Sequence, residues 1–180
     1  MKKLFLIIVG MACCFNQVSA IKLGLKAGVN FDRFPGKLSE FDKAVGAQVG
    51  GIALFQLPLG FALQPELLYT FKQTKIAELS LKDNFHYVEV PLNLQCGISL
   101  FGLVRPFVMA GPSFGYAFAF SDGVDVENFN KYHWGFGLGA GLEVWKLQFT
   151  VRYSFGLNNF EKSTNTKSNT CTIALGYFFK

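Results

Sequence analysis

Apolar and polar residues alternate with a period of two along most of the chain, from Ile21 to Phe179. In the first segment the odd positions from Ile21 to Phe31 are apolar, and the even positions hold lysine, glycine and asparagine. Similar segments recur to the end of the chain, and no helical period of 3.6 residues is sustained. Because a period of two puts successive side chains on opposite faces of a strand, the pattern predicts about eight β-strands.

The connections between these segments alternate between short and long. The short ones fall near residues 57–60, 101–102 and 145–146, and the long polar ones at residues 32–43, 73–84, 121–131 and 158–169. Transmembrane barrels combine an even number of strands with short turns at one end and longer loops at the other. We therefore predict an all-β fold, an eight-stranded antiparallel up-and-down transmembrane β-barrel.

The two faces of the predicted strands differ in bulk, and this difference indicates which face is outside. One face carries most of the apolar and aromatic side chains, whereas the other is rich in glycine, including Gly135, Gly137, Gly139 and Gly141. An eight-stranded barrel has an interior just wide enough for its own side chains or one small ligand. The bulky face therefore points to lipid, and a secreted soluble barrel is the alternative.

The N-terminus has the features of a secretory signal peptide. Lys2 and Lys3 precede an apolar run from Leu4 to Phe15, and small residues precede a cleavage site after Ala20. We predict a signal peptide over residues 1–20 and an outer-membrane barrel domain over residues 21–180. Lipidation at Cys13 or Cys14 is the alternative, although the residues before them fit a lipobox poorly.

Composition excludes several classes of protein. The chain is 51% hydrophobic and only 16% charged, which excludes a disordered protein, and its 180 residues exclude a large multidomain enzyme. The net charge is +5, but no basic cluster accompanies it. We therefore expect no nucleic-acid partner.

The predicted inward face carries charged residues, which a narrow lumen must pair or hydrate. They are Lys22, Lys26, Glu66, Lys72, Glu89, Arg105, Glu143 and Arg152. We predict a luminal charge network of Lys26, Glu66, Glu89, Arg105, Glu143 and Arg152, with the acids paired to the bases. We predict that this network plugs the barrel, because open aqueous channels belong to larger barrels. An ion pathway through the lumen is the alternative.

Candidate chemistry is scarce. His86 and His133 each begin a strand beside a long loop, and His86 with Glu89 is the one faint catalytic candidate. The acids of residues 121–127 lack the spacing of a calcium loop. We assign no catalytic residue, no metal and no cofactor. Cys96 and Cys171 fall on distant strands at opposite heights, so we predict two free, lipid-facing thiols.

Several segments resemble the PorT-like outer-membrane β-barrel domain family of Bacteroidetes-type bacteria. They are residues 24–31 (GLKAGVNF), 63–69 (LQPELLY), 87–92 (YVEVPL), 110–112 (AGP), 152–157 (RYSFGL) and 175–178 (LGYF). The resemblance implies a small barrel like the membrane domain of OmpA-type proteins, and it implies little about activity. One member of the family assists a secretion and gliding system. Barrels of this kind often end in an aromatic residue, whereas here Lys180 follows Phe179.

These observations together predict a non-enzymatic, integral protein of the outer membrane with both termini in the periplasm. Its role is structural or consists of binding through four extracellular loops, since loops carry specificity on a rigid scaffold. The expected partners are outer-membrane lipid and, during insertion, the barrel-assembly machinery. An envelope protein partner is left open, and we expect a monomer. The alternatives are a narrow pore, a lipid-modifying enzyme using His86, and a subunit of a secretion or gliding assembly.

Overall fold

The structure is a computed structural model that describes residues 20–33, 44–75, 82–120, 132–157 and 169–179. Eight strands account for nearly all of these residues. They are β1 (Ala20–Arg33), β2 (Ala44–Gln56), β3 (Phe61–Lys75), β4 (Lys82–Gly97), β5 (Val104–Phe120), β6 (Tyr132–Val144), β7 (Leu147–Gly156) and β8 (Asn169–Phe178). A three-residue 3-10 turn, Pro58–Gly60, joins β2 to β3. Within the described residues, no helix has the length and apolar character needed to cross a membrane.

The strands form a closed antiparallel barrel in which each strand pairs with the next one along the chain, and β8 pairs with β1. The predicted fold class is thus confirmed. Closure leaves no open sheet edge, so the backbone groups of the wall are paired within the protein.

The wall has the predicted two faces. Along β7, exposed positions such as Phe149 and Val151 alternate with buried positions such as Thr150 and Arg152. The buried side chains point into the lumen, and the exposed ones, which are mostly apolar, point outward to lipid. The same alternation holds through the other strands, because lipid outside and a narrow lumen inside impose opposite demands on neighbouring residues.

The short turns lie where the sequence predicts them, and strands enter three of the predicted long connections, most of all the one between β3 and β4. The predicted loop over residues 73–84 is partly strand, because β3 and β4 continue to pair up to Lys75 opposite Lys82. The strand residues concerned, 73–75 and 82–84, are all polar and show no alternation. A hairpin that extends into water needs no apolar face, so the hydrophobic pattern carries no signal there.

Candidate functional site: the barrel lumen

A buried ion pair lies at the middle of the lumen. Lys26 of β1 donates to both carboxylate oxygens of Glu66 on β3, at 2.9 and 3.0 Å. The two side chains are only 3% and 1% exposed. Asn93 of β4 donates to Glu66 Oε1 at 3.0 Å and so supplies a further hydrogen bond. Buried charges need such partners, because desolvation otherwise outweighs their attraction.

Three glutamines continue the network toward the short turns. The side-chain amides of Gln64 on β3 and Gln148 on β7 bond to each other in both directions, at 3.1 and 2.9 Å. Gln95 of β4 donates to Gln64 Oε1 at 2.7 Å, and Gln64 in turn donates to Glu66 at 2.7 Å. All three glutamines are fully buried. Their amides therefore bridge the lumen from one wall to the other.

A second cluster of charges closes the network at the short-turn end. Arg105 of β5 donates to Gln95 Oε1 at 3.0 Å, and its Nη1 lies 3.5 Å from Glu143 Oε2. Lys22 of β1 forms an ion pair with the other oxygen of Glu143. The linked side chains thus run from Lys26 to Lys22 and involve six of the eight strands, β1, β3, β4, β5, β6 and β7.

The remaining wall of this half of the lumen is apolar. Ile52 and Leu54 of β2 pack with Ala62 and with Phe178 of β8 in a buried cluster. These residues face inward and were not assigned to the lumen from the sequence. Together with the glutamines they fill the half of the barrel that adjoins the short turns.

The alternating glycines of β6 make room for side chains from neighbouring strands. A Cβ atom added at Gly141 would overlap the ring of Phe107, and one at Gly139 would meet Met109 Cε at 2.7 Å. A Cβ atom at Gly137 would overlap the guanidinium of Arg152. The glycine-rich segment is therefore a surface against which inward side chains of β5 and β7 pack.

Arg152 occupies this space without a partner among the described residues. It is only 6% exposed, and its Nε and Nη2 atoms have no hydrogen-bond acceptor. Glu89, which was predicted to join the network, lies on the luminal side of β4 opposite Leu68 and Gly115. Within the described residues Glu89 has no ion pair. The structure therefore brings together Lys26 with Glu66 and Arg105 with Glu143, and leaves Glu89 and Arg152 outside the connected set.

The glutamines and Asn93 are the members of the network that the sequence-based prediction missed. Their signal was present, because Gln64, Asn93, Gln95 and Gln148 occupy inward positions of the alternating pattern. A charged residue on the inward face implies a partner from the sequence alone. A side-chain amide requires a partner only when it is buried, and its burial is known only from the structure.

The structure does not bring His86 and Glu89 together. His86 lies on the outer face, with Nδ1 2.6 Å from the Tyr69 hydroxyl and its ring 5.1 Å from that of Phe71. Glu89 lies on the inner face, and the register of β4 shifts between His86 and Tyr87. The wall of the barrel therefore separates the two groups that a rim catalytic site would need.

The remaining candidate groups are dispersed. Cys96 and Cys171 are both free, on β4 and β8, which are opposite strands of the barrel. Among the described residues, no three His, Cys, Asp or Glu side chains are grouped closely enough to hold a metal ion. The acids of residues 121–127 and the predicted signal peptide over residues 1–20, except Ala20, lie outside the described residues.

Comparison with known proteins places this geometry among bacterial membrane barrels. Residues 15–162 match the family model described as an outer membrane protein beta-barrel domain. No curated protein sequence matches the chain significantly.

Several solved structures share the fold. Neisserial surface protein A has a TM-score of 0.57 at 13% identity, with 89% of this chain and 100% of that chain covered. The outer membrane enzyme PagL has a TM-score of 0.55 at 11% identity, with 84% and 98% covered. OprG from Pseudomonas aeruginosa has a TM-score of 0.50 at 14% identity, with 88% and 94% covered. At these identities the likeness concerns the fold alone, and one of the three is an enzyme.

Proposed function

Because this chain belongs to the outer membrane protein beta-barrel domain family, we propose that it is a closed, non-enzymatic barrel whose long loops carry a binding function. The family places it in the outer membrane. We further propose that both termini and the short turns face the periplasm, which leaves the four long connections outside the cell.

The buried luminal network is the observation that carries this proposal. Six strands contribute to it, and its central amides and ion pair are almost completely shielded from solvent. An ion that crosses the barrel would have to replace these hydrogen bonds with its own. A sealed lumen supports a role for the loops. If no ions or solutes pass through the barrel, its function depends on the loops that the rigid barrel holds in place.

The proposed absence of catalysis is supported by the separation of His86 from Glu89 across the wall. PagL shows that this fold can carry an enzyme, so the proposal rests on the residues of this chain. The finer assignment to the PorT-like family is likewise a proposal, supported by the segments of β1, β3, β4, β5, β7 and β8 quoted above. A subunit role in a secretion or gliding assembly is the alternative that this assignment keeps open.

Planar-bilayer recording tests the sealed lumen. We expect the folded wild-type barrel to be electrically silent, and a Lys26→Ala/Glu66→Ala barrel, which lacks the central pair, to show small current steps. The double change removes both charges and so avoids an unpaired buried ion. Discrete wild-type steps whose size changes in Glu66→Gln or Arg105→Gln would contradict the proposal and favour the narrow pore.

Crosslinking in intact cells tests the loops. Lys37, Lys43, Lys162 and Lys167 lie in long connections outside the described residues and provide reactive amines. Crosslinks from these lysines to a ligand or protein at the cell exterior would support binding through the loops. One dominant partner in near-equal amount would define an assembly, whereas crosslinks from the short-turn end alone would contradict exterior binding.

A further inference from the structure

Large apolar side chains project from each of the three short turns. Leu59 is 92% exposed in the turn between β2 and β3, Phe101 is 98% exposed between β4 and β5, and Trp145 is 72% exposed between β6 and β7. We call the residues of these turns, 57–60, 98–103 and 145–146, the short-turn rim. The three turns lie at the same end of the barrel. Soluble proteins rarely expose large apolar patches, and such patches mark interaction sites.

The backbone conformation of the rim does not explain why these side chains are apolar. Leu59, Phe101 and Trp145 have φ angles of 62°, 52° and 57°, and they are the non-glycine residues with positive φ in the described chain. Glycine, asparagine and aspartate suit this left-handed conformation, whereas bulky residues are disfavoured there. All three turns thus hold an apolar side chain at a position where the backbone favours a different residue.

Hydrogen bonds join the turns into one rim. Arg105 Nη2 donates to the carbonyl of Gly60 at 3.1 Å, which ties the first turn to β5. The backbone N–H of Trp145 donates to the carbonyl of Leu103 at 3.0 Å, and that of Phe178 donates to Lys146 at 2.8 Å. The turn backbones that carry the exposed side chains are therefore bonded to the barrel, so little backbone ordering is needed when they meet another surface.

Charge and position favour lipid as that surface. Lys146 is the one charged residue of the rim, its Nζ lies 5.6 Å from the centre of the Trp145 ring, and the rim contains no acid. Tryptophan and lysine together are typical of membrane interfaces, where the ammonium reaches anionic headgroups. The rim also continues the lipid-facing belt, since the outward residues Phe61 and Leu147 directly follow two of its turns.

We infer that the short-turn rim lies within the headgroup and upper acyl layer of the adjoining leaflet, where Leu59, Phe101 and Trp145 anchor the barrel in lipid. The rim is accordingly a membrane-binding surface and not a water-facing end. This inference goes beyond the proposed binding function, because the depth of the rim is independent of what the loops bind and of which leaflet adjoins it.

Tryptophan quenching in phosphatidylcholine–phosphatidylglycerol vesicles tests the depth of the rim. The chain has two tryptophans, so Trp134→Phe leaves Trp145 as the probe and Trp145→Phe leaves Trp134, at the opposite end, as the interfacial control. A third probe is Phe101→Trp in a Trp134→Phe/Trp145→Phe background. We expect lipids brominated near the headgroup to quench both rim probes at least as strongly as the control, and acrylamide to quench them weakly.

Strong acrylamide quenching of the rim probes without quenching by brominated lipid would overturn the inference and indicate a surface for a soluble protein. A folded barrel is verified beforehand by its compact migration in unboiled gel samples.

A second variant distinguishes a rim in lipid from a rim in water by the direction in which the stability of the barrel changes. The triple change Leu59→Asn, Phe101→Asn and Trp145→Asn supplies a residue that tolerates positive φ. If the rim stands in water, relief of the unfavourable backbone raises the urea midpoint of unfolding in vesicles or leaves it unchanged, and either result overturns the inference. If the rim lies in lipid, loss of the apolar contacts lowers the midpoint.

Discussion

Individual residues in the lumen are constrained by their neighbours on other strands. Lys26 and Glu66 are 40 positions apart in the chain, and Gln64 and Gln148 are 84 apart, yet each pair meets inside the barrel. Alternation alone predicts that these residues face inward. It does not predict the partner of each charge, because partners depend on the register of strands that are not adjacent. This is why Glu66 and Glu143 have basic partners, while Glu89 and Arg152 have none among the described residues.

Gly141 offers a test of packing at the scale of one residue. We expect Gly141→Ala to lower the free energy of unfolding by about 1–3 kcal/mol, since its methyl group would overlap the buried Phe107 ring and the backbone carbonyl oxygen of Phe149. Urea unfolding in lipid vesicles measures the effect. The matched control is Gly51→Ala, where no atom lies within 4 Å of the added group; there we expect a change within about 0.5 kcal/mol.

Part of this cost should depend on Phe107. In a background of Phe107→Ala, the Gly141→Ala change should cost less than it does in the wild type, because the overlapping ring has been removed. Equal costs in both backgrounds would show that the Phe107 ring is not what Gly141 accommodates.

At the scale of the strands, the sequence pattern predicts most of the architecture because lipid and lumen select different residues on the two faces. The eight strands and the three short turns are confirmed on this basis. The pattern fails at the ends of β3 and β4 next to the long connection between them, where the hairpin continues through polar residues to Lys75 and Lys82. It also leaves out the inward apolar residues Ile52 and Leu54, since an apolar side chain in a lumen looks in sequence like one that faces lipid.

The depth of a strand position in the bilayer governs its tolerance of charge. Val151 is an outward residue at the middle of β7, whereas Tyr132 is an outward residue at the first position of β6, beside a long connection. We expect Val151→Arg to destabilise the folded barrel by about 2–4 kcal/mol and Tyr132→Arg by about 0–1 kcal/mol. Equilibrium unfolding in vesicles compares the two. Similar costs at both positions would argue against a lipid-facing belt with this orientation of β7.

At the scale of the whole molecule, closure of the barrel holds the two cysteines of the wall on opposite sides. Cys96 and Cys171 lie on β4 and β8, which are separated by half the circumference. A disulfide requires Cα atoms within about 7 Å, so the wall keeps these thiols apart. Neither thiol can therefore contribute a covalent link within the folded barrel.

We accordingly expect the folded protein to form no internal disulfide. The folded barrel is treated with a mild oxidant, free thiols are blocked, and migration of the denatured chain is compared with and without reductant. The two samples should migrate alike. A faster band that reductant abolishes would contradict the strand order, provided that it is absent in Cys96→Ser, which cannot form the internal link.

The seam between β1 and β8 has a consequence for the order of folding. Every other pairing joins strands that follow each other in the chain and forms as a local hairpin, whereas this one joins residues 24–33 to residues 169–178. Until the last strand arrives, β1 keeps a full row of unsatisfied amide and carbonyl groups that hydrocarbon cannot solvate. Ring closure is thus the one long-range strand pairing of the barrel, and a chain truncated before β8 would leave this row of groups unpaired in the bilayer. Stable insertion therefore requires the last strand in the sequence.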